Sequence, residues 1–263
     1  MIAIIGAGRM GEALLAGLLG RGHAPDEVLV TEPRAGHAEE LRRRHGVEVV
    51  DAAEAVTRAD TVLLAIKPQD MLALLDDLAP VLAADRLVIS VAAGVTTAVI
   101  EKYLPGDVAV VRAMPNAPAL VGAGMTAVAG GRHAAAEHLD RAEELLRSVG
   151  EVVRVPERHL DAVTALSGSG PAYFYYVVES LVEAGVLLGL PRDTAHRLAV
   201  QTATGAAAML REGEHPAVLR EAVTSPGGTT AAALRELDRH GVRAAFTDAV
   251  EAAHDRSRQL AEG

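Results

Sequence analysis

The sequence predicts an α/β fold: a doubly wound, mainly parallel sheet over residues 1–156, then an all-helical second domain over residues 157–263. Three observations predict it. The chain opens as an apolar strand that runs through three spaced glycines into a helical run. Up to about residue 155, short apolar runs alternate with amphipathic ones, as strands do when helices cover both faces of a sheet. After Pro156 the β-rich runs stop and only helical periodicity continues.

In chain order, the strands are expected at 2–6, 27–32, 47–50, 61–66, 86–91, 108–113, 125–129 and 151–155. Helices are expected between several of them, at 10–20, 35–45, 68–83, 96–103 and 134–149. The second half reads as helices at 159–166, 171–188, 192–212, 215–223, 229–240 and 242–261. Breaks are expected at Ser167–Pro171, Gly189–Pro191, Gly213–Pro216, Ser225–Gly228 and Gly241, where glycine, proline and serine cluster. The boundary near 156 is a change of period, not a flexible linker.

The first strand leads into Gly6-Ala7-Gly8-Arg9-Met10-Gly11, a G-x-G-x-x-G turn between strand and helix. That arrangement is the dinucleotide-binding fingerprint of Rossmann-type sheets. Gly6 suits the tight turn, Gly8 lets the backbone approach a pyrophosphate, and Gly11 lets helix pack on strand. The helix start then offers free N–H groups and the positive end of its dipole to the phosphates. Glu32 lies 21 residues past Gly11, where an acidic residue accepts from a ribose 2′-hydroxyl and favours NAD. Arg34, two residues on, suits a 2′-phosphate and favours NADP. The two readings conflict. Ala65-Ile66-Lys67-Pro68 ends the fourth strand on the cofactor side, and Lys67 is one of two lysines in the chain, Lys102 being the other. Ser90–Gly94 and Arg112–Pro118 follow the next two strands; small residues such as Ala93 admit a flat ring. Asn116 offers the donor and the acceptor that a nicotinamide carboxamide needs.

Composition excludes several classes. The formal net charge of −10 disfavours nucleic acid and anionic membrane surfaces as partners. With no cysteine there is no thiol catalysis, disulfide or zinc–thiolate site. The ten histidines are scattered, and His133 and His138 are five apart, so no metal site is expected. The apolar opening lacks a basic leader and is interrupted by Arg9, Glu12 and the motif glycines. No apolar run is long enough to span a bilayer, and a cytoplasmic protein is expected.

In the second half, Ser225-Pro226-Gly227-Gly228-Thr229-Thr230 opens a helix with two glycines and three hydroxyl residues. Such a turn presents backbone N–H groups and hydroxyls to an anion, so a carboxylate can be held there without lysine or arginine. The same residues also suit a plain helix cap. Ser167–Tyr176 carries four of the six aromatic residues, which read as packing against another helix or subunit.

With these pieces in order, the chain resembles the pyrroline-5-carboxylate reductase family almost end to end. The resemblance rests on Gly6–Gly11, Ala65–Pro68, Ser90–Gly94, Arg112–Pro118, Ser167–Tyr173, His215-Pro216, Ser225–Thr230 and Gly241–Ala245. It implies reduction of a cyclic imine carboxylate, 1-pyrroline-5-carboxylate, to L-proline by NADPH or NADH. It implies that residues 6–11, 65–68, Ala93 and Asn116 line the cofactor. It further implies that Ser225, Gly227, Gly228, Thr229 and Thr230 hold the substrate carboxylate and the ring-nitrogen region, with Thr230 as the catalytic candidate. The helical domain is then a dimerisation and substrate domain, each copy contributing to its partner's site, often within a larger ring. Ala52 and Ala222 stand where many or some relatives carry asparagine.

Two other readings are open at this level. A β-hydroxyacid dehydrogenase-like enzyme shares the outline but uses a lysine in its helical half, whereas both lysines here precede residue 103. A non-catalytic dinucleotide sensor would leave the 225–230 turn without a task.

Overall fold

The structure, a computed structural model, describes residues 1–262. Eight strands form one sheet: β1 (Ile2–Ile5), β2 (Val28–Thr31), β3 (Glu48–Val49), β4 (Thr61–Leu64), β5 (Leu87–Ser90), β6 (Ala109–Met114), β7 (Gly124–Gly130) and β8 (Gly150–Arg154). Their spatial order is β3-β2-β1-β4-β5-β6-β7-β8. All eight expected strands are present. The first six run parallel, β7 is antiparallel to β6, and β8 is parallel to β7. The reversal at β7 follows from its connection. A short loop with one 3₁₀ turn, Ala117–Val121, joins it to β6, and a parallel crossover needs a dozen residues or more.

The same half contains α1 (Arg9–Gly20), α2 (Ala35–His45), α3 (Ala52–Arg58), α4 (Met71–Leu78), α5 (Thr97–Tyr103) and α6 (Ala136–Leu146). The inner strands are buried on both faces, so they are continuous apolar runs that divide residue by residue between two cores, whereas the edge strands β3 and β8 are more open. Ile2, Ile4, Val28, Val30, Leu63, Leu87, Ile89 and Val111 meet Leu14, Leu15 and Leu18 of α1, Leu41 of α2 and Leu145 of α6. Ala3, Ile5, Leu29, Val62, Leu64, Val88 and Val110 meet Val56 of α3, Met71 and Leu75 of α4 and Ile100 of α5.

Two local differences from the sequence expectation have plain causes. α3 was not expected, yet Asp51 caps it by accepting from the Glu54 N–H at 2.8 Å, and Arg58 clamps Glu54 and Glu48. The expected helix 68–83 is instead a 3₁₀ turn (Pro68–Asp70) followed by α4, which stops before Pro80. Ala79 still has helical backbone and its N–H closes a bond to the Leu75 carbonyl at 2.9 Å, but Pro80 has no N–H to carry the ladder on.

A buried charge braces the sheet. Arg112 on β6 is 4% exposed, and its guanidinium lies 3.4 Å from the Glu157 carboxylate. Glu157 also accepts from the backbone N–H (2.8 Å) and hydroxyl (2.6 Å) of Thr97 at the start of α5.

The second half is helical: a 3₁₀ turn (Glu157–His159), α7 (Leu160–Val163), a π turn (Thr164–Gly168), α8 (Gly170–Leu187), α9 (Arg192–Arg211), α10 (Pro216–Ala222), α11 (Thr229–Arg239) and α12 (Val242–Glu262). The break expected over Ser167–Pro171 shrinks to Ser169. The Ser169 N–H reaches back five residues to the Thr164 carbonyl at 2.8 Å, and Pro171 sits in the first turn of α8, where no N–H is needed. The chain forms two compact units, Met1–Ser169 with the residues from Ala253 onward, and Gly170–Ala252. In the first unit, the buried Ser257 hydroxyl on α12 donates to the Asp161 carboxylate on α7 at 2.7 Å. The sheet itself ends at Arg154, close to the expected change of period.

In the second unit, α8 and α9 pack through Val182, Ala195 and Ala199. Much apolar surface there remains open: Phe174, Tyr175 and Tyr176 are 64–72% exposed, and Leu187 and Leu188 more than 80%. Patches of this kind mark contact surfaces. Among the described residues no helix is long and apolar enough to cross a membrane.

Candidate active site

In the first unit, the expected nucleotide residues gather where the strand order reverses. The chain runs β1, β2, β3 outward, then returns to place β4 on the other side of β1. Ligands of doubly wound sheets bind at that point, beyond the carboxyl ends of the strands. Gly6 follows β1 there, with φ of +96°. A Cβ on it would stand 2.8 Å from the Ala65 carbonyl oxygen and from the Ile66 side chain, so the 65–66 segment after β4 forms one wall. A Cβ on Gly11 would overlap the Gly6 carbonyl oxygen. Gly8 behaves differently: a Cβ on it would meet no protein atom within 4 Å. The chain's own packing therefore does not require glycine at position 8, whereas a pyrophosphate laid on the backbone does.

Gly8 is the N-cap of α1 and no side chain caps that helix. The Glu12 N–H is the first to close a helical bond, onto the Gly8 carbonyl at 2.8 Å. The N–H groups of Arg9, Met10 and Gly11 are thus the helix's orphan donors. Ala7 is buried, Met10 packs on the core, and Arg9 is exposed and enters no ion pair among the described residues. Lys67 is likewise exposed and unpaired beside exposed Pro68, and Ala93 is exposed after β5. Two unmatched cations at this mouth, on a chain of net charge −10, suit an anionic ligand. The donors, the open cradle and these cations fit a dinucleotide.

Sequence reasoning missed two supports of this loop. The Thr31 hydroxyl accepts from the Gly6 N–H at 3.0 Å, and His37 Nε2 lies 2.9 Å from the Ala7 carbonyl oxygen. The parallel register pairing Ile5 with Thr31 brings the first about; no local motif announces it. Glu32 and Arg34 are both at the end of β2, but they face each other. The Arg34 Nε and Nη2 donate to the two Glu32 carboxylate oxygens at 2.8 and 2.9 Å.

Asn116 has partners within the protein. Its Nδ2 donates to the Ser167 carbonyl at 3.1 Å and contacts the Ser167 hydroxyl at 3.4 Å, while its Oδ1 accepts from the Met125 N–H at 2.8 Å. Both halves of the amide are engaged inside the protein, so the side chain ties the β6–β7 loop to the π turn. Asn116→Ala leaves partly buried groups unpaired, and we expect it to cost about 1–3 kcal/mol in chemical denaturation. An unchanged midpoint would deny the bracing role.

In the second unit, Gly227 has φ of +70° and the Gly228 N–H donates to the Ser225 carbonyl at 3.0 Å, closing a tight turn before α11. Gly228 is the N-cap and makes no side-chain cap bond. Among the described residues no side chain caps this helix at Gly228, the position where a plain cap would act. The first helical bond is from Ala232 to Gly228 (3.1 Å), leaving the N–H groups of Thr229, Thr230 and Ala231 as orphan donors. Uncapped N–H groups, adjacent hydroxyls and the helix dipole make a site for a carboxylate.

Comparison with known proteins bears on both units. Residues 157–260 match the family model described as pyrroline-5-carboxylate reductase dimerisation. Residues 1–94 match the model described as NADP oxidoreductase coenzyme F420-dependent. A Mycobacterium tuberculosis pyrroline-5-carboxylate reductase is 49% identical over 283 aligned residues, covering 98% of this chain and 96% of that one. The structure of a pyrroline-5-carboxylate reductase from Coxiella burnetii superposes with a TM-score of 0.94 at 39% identity, covering 98% and 97%. That of a Plasmodium falciparum pyrroline carboxylate reductase with NADP bound gives a TM-score of 0.87 at 28% identity, covering 99% and 97%. Similarity of this extent, running through both the glycine cradle and the uncapped 225–230 turn, shows that the chain belongs to the pyrroline-5-carboxylate reductase family.

Proposed function

We propose that this chain reduces 1-pyrroline-5-carboxylate to L-proline with NAD(P)H, the last step of proline biosynthesis, as a cytoplasmic homodimer. The observation that carries the reading is the glycine cradle at the β1/β4 switch point, open only at Gly8. It occurs in a chain related almost end to end to reductases of this name.

A dinucleotide held there would supply a hydride to the imine carbon and leave as NAD(P)+. The electron pair of the C=N π bond moves to nitrogen, which becomes the ring amine of proline, carrying the proton of the iminium form or one taken from water. No protein nucleophile is needed. The task of the protein is to hold the reacting atoms at roughly 3–3.5 Å and keep water out. The orphan N–H groups of Arg9, Met10 and Gly11 hold the pyrophosphate, and Arg9 and Lys67 add positive charge. The orphan N–H groups of Thr229–Ala231 and the hydroxyls of Ser225 and Thr229 hold the substrate carboxylate. Thr230 orients the ring nitrogen. The exposed aromatic and leucine surface of α8 and its neighbours supports pairing through the helical unit.

The test is oxidation of NADH and of NADPH by pyrroline-5-carboxylate, with proline measured as product. Turnover with proline formed is the expected result. Absence of proline with both cofactors overturns the reading.

A further inference from the structure

The end of β2 carries a carboxylate fixed in place by an ion pair. The Glu32 carboxylate is only 3% exposed, although Arg34 beside it is 68% exposed. Arg34 grips it with three donors: its backbone N–H at 2.8 Å, Nε at 2.8 Å and Nη2 at 2.9 Å. The guanidinium presents one edge, Nε and Nη2, to the two carboxylate oxygens, a bidentate pair. These hydrogen bonds hold the Glu32 carboxyl below the usual carboxylate range, so it is ionised at neutral pH. The carboxylate also stands next to the phosphate loop. His37 Nε2 is 3.9 Å from Glu32 and 2.9 Å from the Ala7 carbonyl oxygen, and Thr31, the preceding residue, holds the Gly6 N–H.

Such a carboxylate has lone pairs to accept from a ribose hydroxyl, and it repels a phosphate ester at the same place. Arg34, the cation on the same strand end, already has one edge of its guanidinium taken by Glu32.

We propose that Glu32 and Arg34 act as one unit that selects NADH over NADPH, Glu32 receiving the adenosine ribose 2′-hydroxyl and Arg34 fixing the carboxylate without serving as a phosphate ligand. This rests on the dinucleotide half of the proposed function and not on its imine chemistry.

The experiment is direct binding of NADH and NADPH to the full chain, by titration of cofactor fluorescence without any imine present. The wild type is expected to bind NADH about tenfold or more tightly than NADPH. Glu32→Gln keeps the shape and removes the charge, and it should bring the ratio to about one or below. Arg34→Ala should weaken both cofactors by a similar factor. A wild-type ratio that is even or favours NADPH overturns the proposal. So does an unchanged ratio in Glu32→Gln, or a loss in Arg34→Ala confined to NADPH. If Glu32→Gln does not fold, as judged by circular dichroism, the wild-type ratio and Arg34→Ala decide alone. Binding of neither cofactor overturns both this selection and the dinucleotide reading. Tight NADH binding without proline formation leaves the selection standing and removes only the imine reaction.

Discussion

Gly11→Ala is expected to destabilise the protein while Gly8→Ala, three residues earlier, leaves the fold nearly intact and abolishes tight cofactor binding. The two glycines share a loop but answer to different atoms. At position 11 the added methyl falls on the Gly6 carbonyl oxygen, a backbone atom locked between β1 and β4. Overpacking against an atom that cannot move costs about 3 kcal/mol. For a chain of this size that lowers Tm by roughly 2–4 °C per kcal/mol. At position 8 the methyl meets no protein atom, and the backbone, at φ of −69° and ψ of −173°, suits any residue. Alanine is a slightly poorer N-cap, worth about 0.5–1 kcal/mol. The same methyl points into the space left for the pyrophosphate, so the Kd for the nicotinamide cofactor should rise at least about tenfold. Thermal melts and cofactor titrations on both variants check this. Wild-type cofactor affinity in Gly8→Ala would show that the open space has no occupant, and a wild-type melting temperature in Gly11→Ala would show that the Gly6 carbonyl gives way.

Thr230→Ala should separate substrate handling from cofactor handling. The Thr230 hydroxyl caps nothing, and alanine favours a helix more than threonine does, so the fold is expected to hold. A hydrogen bond to a charged group contributes about 1.5–3 kcal/mol. Its loss should lower kcat/KM for the imine about 10–100-fold. Cofactor affinity, set in the first unit by the 6–11 loop, should not move. Steady-state kinetics with the cofactor saturating, beside a cofactor titration, measure both. Unchanged turnover would take Thr230 out of the mechanism.

The sequence made legible what depends on local pattern. Strands buried on both faces announce themselves as apolar runs, and the inner strands stand where those runs stand. The helices from α8 to α12 follow the glycine and proline punctuation to within a residue or two. The features that stayed hidden depend on contacts between distant segments. Asn116 has the donor and acceptor that a carboxamide wants, but the sequence does not show that its donor also reaches Ser167, 51 residues on. Arg112 reads as one more residue of a motif until the fold brings Glu157 against it. α3 is the exception, because Asp51-x-x-Glu54 before an alanine run is a local capping signal that the apolar pattern overshadowed. At the end of β2 the sequence posed a conflict between Glu32 and Arg34; the ion pair turns two rival ligands into a single device.

The hydroxyl of Ser257 on the Asp161 carboxylate has a consequence for synthesis on the ribosome. The unit that carries the glycine cradle is discontinuous in the chain, its last helical turns arriving after the whole of Gly170–Ala252. At ordinary elongation rates the polymerised segment 1–169 waits roughly 4–18 s for Ser257 to be added. During that interval Asp161 lacks its buried hydrogen-bond donor and the surface around it is uncovered. The nucleotide unit is therefore finished last although it is begun first, and a nascent chain must carry its helical segment before the older half can close.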